Sequence, residues 1–134
     1  MSYTKRQFID AAFEEIGLAS YTFDLQPEQI QSALKRLDAM IASWNGRGIR
    51  IAYPLPSSPD DSDIDAATDV PDMANEAVIT NLAVRLAPSF GRRVMPETLK
   101  TAKEAYNTML MKLAFPAEQQ MPGTMPAGAG NKPL

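Results

Sequence analysis

The chain has 134 residues, 45% of them hydrophobic and 22% charged, with a formal net charge of −3; this predicts one globular domain with a modest core and argues against wholesale coating of nucleic-acid phosphates. It contains no cysteine and no histidine, which excludes disulfides and thiolate metal sites and removes the commonest general base and the commonest zinc ligand. No apolar run approaches the ~20 residues needed to span a bilayer, and the first residues, MSYTKRQF, lack the apolar segment of a secretory signal.

The spacing predicts a first helix over Thr4–Ile16. Thr4 and Gln7 stand at capping-box distance, and Phe8, Ala12 and Ile16 with Ile9 and Phe13 form the apolar face. Gly17 suits the left-handed position after the helix, with Leu18 folding back on Phe13. The link to the next helix, Ala19–Gln26, is short, and short links favour antiparallel neighbours. The second helix is predicted over Pro27–Asn45. Ile30, Leu34, Leu37, Ile41 and Trp44 make one stripe, while Gln29, Lys35, Arg36, Asp38 and Ser43 fall on the opposite, polar side. Pro27 fits the first helical position and Gly46 the terminating one.

Ile49–Tyr53 alternates apolar and other residues between glycines and Pro54, which predicts a short strand or extended segment. Pro54, Pro56 and Pro59 then prevent regular structure. Asp60, Asp61, Asp63, Asp65 and Asp69 follow, and are expected to form a solvated, mobile loop. A third helix is predicted from Pro71 or Asp72 to the residue before Pro88. Its interior is apolar on most sides, including Val78, Leu82 and Leu86, which predicts a central position with a second side free for a neighbouring copy. Ser89–Arg93 reads as a turn. The fourth helix opens at Pro96 and places Leu99, Ala102, Tyr106, Met109 and Leu113 on one stripe. From Pro116 the periodicity ends and Pro, Gly and Ala dominate, so 116–134 is expected to be disordered or extended when alone. The predicted fold is all-α: a small four-helix bundle over 1–115, with an extended segment and acidic loop between the second and third helices, and a C-terminal arm.

Chemistry-bearing patterns are sparse. Glu14 and Glu15 are adjacent on a helix and diverge by ~100°, so they are read as a solvated face rather than an acid–base pair. The aspartates from Asp60 lack the glycine and terminal glutamate of an EF-hand loop. Arg47 with Arg50, and Arg92 with Arg93, form two small basic patches, open to either phosphate contact or pairing with the acidic loop of another copy. Trp44 ends an apolar stripe and reads as a core or interface plug. Met109, Met111, Met121 and Met125 are suited to adaptable contacts. No catalytic residue, metal ligand or cofactor site is predicted. The rival readings are a small helical nucleic-acid-binding protein using the four arginines and, with less support, a carboxylate-dependent hydrolase.

Three stretches carry a resemblance: DAMIASWNGRGIRIAY, then NLAVRLAPSFG with TAKEAYNTMLMK following, and the tail MPAGAGN at Met125–Asn131. In this order they resemble the tail accessory, or head-completion, proteins of short-tailed bacteriophages. The resemblance implies a non-enzymatic virion component in the neck between head and tail, assembled in the host cytoplasm. It implies copies arranged as a dodecameric ring beneath the portal protein, with packaged DNA passing through, tail hub, needle or fibre proteins attached below, and no membrane contact. It also implies that Gln119, Met121, Pro122, Met125, Pro126, Gly128, Gly130 and Asn131 belong to an arm that binds the portal.

Overall fold

The computed structural model describes residues 2–19 and 23–113. The predicted arm, 116–134, lies outside the described residues, and with it all eight proposed portal-binding positions from Gln119 to Asn131. The architecture is an all-α bundle of four helices: α1 Lys5–Glu15, α2 Pro27–Gly46, α3 Asp72–Leu86 and α4 Pro96–Leu113, with short 3-10 turns at Pro59–Asp61 and Ala87–Phe90. No strand occurs among the described residues.

α3 is the centre, packed against α1, α2 and α4. Its small residues let the neighbours approach: Ala74, Ala77, Val78, Leu82, Ala83 and Leu86 are all fully buried. Its near-continuous apolar surface is therefore mostly consumed inside the subunit rather than held for a second copy. α1 contributes Phe8, Ile9, Ala12 and Phe13, and α2 contributes Leu34, Leu37, Met40, Ile41 and Trp44. Ile30, one turn earlier on the same stripe, is only half-buried at the rim.

The two ends of α1 show how local chemistry sets the frame. A helix begins with four backbone N–H groups that have no intrahelical acceptor. Here Gln7 N donates to Thr4 Oγ1 at 3.2 Å while Thr4 N donates to Gln7 Oε1 at 2.9 Å, the reciprocal box that the sequence predicts. Phe8 N donates to Thr4 O. The other two donors, Lys5 N and Arg6 N, reach the carbonyls of Ala66 and Ile64 at 3.1 and 2.8 Å. Thr68 adds bonds from its N and Oγ1 to Tyr3 O at 3.2 and 2.6 Å. The acidic loop is thus solvated in its carboxylates but anchored in its backbone, which corrects the expectation of a mobile loop. The reason is that Ile64 packs on the core and Val70 is buried, bringing the loop carbonyls to donors that need them.

At the other end Gly17 has φ +80°, and Leu18 N and Gly17 N donate to Phe13 O and Glu14 O at 2.7 and 3.1 Å, a Schellman ending. α2 ends the same way, one residue beyond the predicted Asn45, with its left-handed glycine two residues later than predicted. Gly46 remains helical, and Gly48 takes the left-handed position at φ +89°. Gly48 N and Ile49 N then bond to Asn45 O and Trp44 O at 3.1 and 3.0 Å. Either glycine permits the turn. The later one places Ile49, fully buried, where an apolar residue packs back on the last helical turn.

Ile49, Ile51 and Tyr53 point inward and Arg50 and Ala52 outward, so the predicted alternation is real although the segment is no strand. A strand needs a neighbouring ladder. In this segment Ala52 instead adopts φ +58° and accepts one bond, from Asp69 N, at 3.2 Å. On α4 only Ala102 and Met109 are fully buried. Leu99, predicted as part of the buried stripe, is 47% exposed, because α4 meets α3 alone along much of its length.

Candidate functional site

Where the end of α2 meets α3 and the first half of α4, the bundle leaves an open groove of about 450 Å³. Its floor is apolar, made by Trp44, Val84, Leu99 and Ala102, and its rim carries Arg47, Arg85 and Lys103. The sequence builds it by helical spacing. Asn81, Val84 and Arg85 share a face of α3, while Leu99, Ala102, Lys103 and Tyr106 share a face of α4. Asn81 Nδ2 fastens the two helices by donating to Ala102 O at 3.0 Å as well as to Ala77 O at 2.8 Å. Arg47, at the C-cap of α2, is held in place: its Nη1 donates to Tyr106 Oη at 2.8 Å, and the Tyr106 ring leans on Trp44 with centroids 5.5 Å apart.

Three cations therefore stand around an apolar floor. Among the described residues the ion pairs are Lys5–Asp38, Arg6–Asp65 and Lys35–Asp60; none of them involves Arg47, Arg85 or Lys103. The arrangement can receive an acidic group whose neighbouring atoms are apolar.

Of the four arginines singled out in the sequence, only Arg47 lines this groove. Arg50 is exposed and donates to Asn45 Oδ1 at 3.2 Å. Arg92 lies over the Phe23 ring at 5.4 Å, and Arg93 is exposed. Arg85 and Lys103 escaped sequence reading because each is an ordinary charge on the outer side of a helix. The available signal was α4's incomplete apolar face, with Lys103 set between Ala102 and Tyr106. Met95, just before α4, is exposed, as are Leu110 and Met111 further along that helix and Met73 on α3.

A second polar feature lies inside the bundle. Lys5 Nζ sits 3.2 Å from Asp38 Oδ1, with both side chains buried, and donates to Ser62 Oγ at 2.9 Å. Tyr53 Oη donates to the same Asp38 Oδ1 at 2.5 Å, and Lys5 Nζ is 4.7 Å from the Tyr53 ring centroid. Burial, and then the bond to Asp38, pushes the Tyr53 hydroxyl well above the ordinary tyrosine pKa. Asp38 was expected on the polar side of α2. It faces inward because Lys5 and Tyr53 converge on it from two other parts of the chain, with Ser62 accepting from the same Lys5 ammonium. On the surface, the hydrogen bond between Arg6 and Asp65 lowers the Asp65 pKa and raises that of Arg6, while desolvation raises Asp10. Glu14 and Glu15 are exposed. Among the described residues no three acidic side chains converge as a metal site, and no helix is long and apolar enough to cross a membrane.

The fold is a small all-α bundle whose surface carries a basic groove and several exposed apolar side chains. A family model described as "P22 tail accessory factor" matches residues 1–133. The chain belongs to that family, and is a bacteriophage tail accessory factor.

Proposed function

We propose that this chain is a structural, non-catalytic adaptor of the virion neck, assembled in the host cytoplasm. Copies join as a dodecameric ring beneath the portal protein, extend the channel for packaged DNA, help retain that DNA, and present a surface to tail hub, needle or fibre proteins. The observation that carries the reading is the family match over residues 1–133. The composition of 116–134 supports an arm: a segment with few core-forming residues can order on a partner and wrap a large surface, with Met121, Met125 and Pro126 as apolar anchors. Repetition around a ring makes weak arm contacts collectively strong. The acidic balance suits a channel through which DNA slides. The rival nucleic-acid reading is weakened because Arg92 and Arg93 are not among the side chains lining the groove with Arg47.

Mixing the full chain with purified portal rings and sizing the product tests the proposal. Co-elution is expected. A chain cut after Phe115 is expected to keep its helical circular dichroism and to lose co-elution. Absence of binding by the full chain overturns the adaptor reading, and undiminished binding by the cut chain overturns the assignment of the arm.

A further inference from the structure

We infer that the basic groove receives the acidic loop of a second copy of this chain, so that copies join groove to loop. The inference rests on the ring reading above and names its contact. The groove offers Arg47, Arg85 and Lys103, none of them paired within the described residues. The chain also presents a matching set of anions: Asp60, Asp61 and Asp63 are exposed on one short loop, and Asp60 is engaged only by exposed Lys35 at 3.7 Å. A copy cannot satisfy its own groove. Its loop is pinned to the start of α1 by the bonds of Lys5 N and Arg6 N to Ala66 O and Ile64 O, and to the middle of α2 through Lys35. At ~1.5 Å per helical residue, Lys35 and Arg47 stand about 18 Å apart along α2. The two complementary surfaces are therefore different faces of one subunit, the condition for a head-to-tail contact that closes into a ring or extends into a filament.

The groove favours this occupant over solvent ions. The apolar floor at Trp44 and Leu99 excludes water beneath the cations once it is covered, and ion pairs strengthen when water is excluded. Arg47 is already oriented by Tyr106, so less side-chain freedom is lost on binding.

The absence of native cysteine makes the test direct. Full-length Asp61→Cys and full-length Leu99→Cys are mixed under mild oxidation, and disulfide-linked dimer is measured. Trapping at least tenfold faster in the mixture than in either variant alone is expected, and about 0.5 M salt should slow it, as that concentration screens surface charge. Adding Arg47→Glu and Lys103→Glu to the groove partner is expected to abolish trapping. Adding Asp60→Lys and Asp63→Lys to the loop partner should then restore it, which a merely structural effect of the groove changes would not do. Equal trapping in mixed and single samples, or no restoration by the charge swap, overturns the inference. So does suppression of trapping by a short DNA duplex at low micromolar concentration, which would make the groove a phosphate site. Portal co-elution is scored separately. Trapping without portal binding leaves the groove contact standing and removes the adaptor reading; portal binding without trapping does the reverse.

Discussion

Lys5 Nζ, on the first residue of α1, lies 3.2 Å from Asp38 Oδ1 in the middle of α2, and neither side chain exceeds 9% exposure. Thirty-three residues separate them. The pair joins the first helix to the second, and with Tyr53 and Ser62 it also fixes both ends of the segment that leads to the acidic loop.

Removing one partner should cost far more than removing the set. Asp38→Ala leaves a buried ammonium without a counter-charge and should destabilise by about 3–5 kcal/mol. The triple change Lys5→Met, Asp38→Leu, Tyr53→Phe replaces the polar set with apolar groups of similar size and should recover most of that loss. Urea denaturation followed by Trp44 fluorescence measures both. Equal destabilisation in the two proteins would show that the ion pair itself is not what holds this region.

Tyr53 predicts an alkaline limit. Its native pKa is raised by burial and by the bond to Asp38, so its contribution to stability is complete below the unfolded tyrosine value of about 10 and declines as pH rises above it. In a titration of tyrosinate absorbance, Tyr53 should ionise only together with loss of helical circular dichroism. In Tyr53→Phe that coupled step should be absent. Ionisation of Tyr53 in the intact fold would contradict the geometry.

On the acid side the relevant surface group is Asp65. Its native pKa is depressed chiefly by the hydrogen bond from Arg6, so its stabilising effect is present above the unfolded aspartate value of about 3.9 and is lost as pH falls through the native value. The stability difference between the parent and Asp65→Asn should accordingly hold at neutral pH and shrink as pH falls below about 3.9, as urea denaturation at a series of pH values would show. The pair is exposed, so the effect should be small beside that of Asp38.

Backbone conformation gives three substitutions with different signs. Gly17→Ala meets nothing closer than 4.0 Å but stands at φ +80°, and should cost about 1 kcal/mol for the left-handed backbone. Gly46→Ala lies in the helix with open space around it, and should stabilise by about 0.5–1 kcal/mol. Ala52→Gly, at φ +58°, should be neutral to stabilising by up to ~1 kcal/mol. Thermal melts of the three proteins would settle the order; a destabilising Gly46→Ala would mean that α2 ends where its first glycine stands.

The four helices were legible because helix formation is mostly a local matter. An apolar residue every three or four positions, a capping threonine with its glutamine, and prolines at the first turns act over distances of a few residues, and α1, α3 and α4 begin within a residue or two of the positions these signals indicate. The inward alternation of Ile49, Ile51 and Tyr53 was likewise readable. The sequence by itself also bounded the chemistry available, since a chain without cysteine or histidine has no thiolate or imidazole to offer. Tertiary structure decided everything that depends on which side chains meet. Asp38 reads as a solvent-facing residue until Lys5 and Tyr53 arrive beside it; the acidic loop reads as loose until α1 needs two carbonyl acceptors; and Gly46 and Gly48 are equivalent until Ile49 has a core to enter. The groove is the clearest case: Arg47 just past the end of α2, Arg85 on α3 and Lys103 on α4 share no local pattern. Only the packing of α4 against α3, which leaves Leu99 uncovered, brings the three charges around one apolar floor.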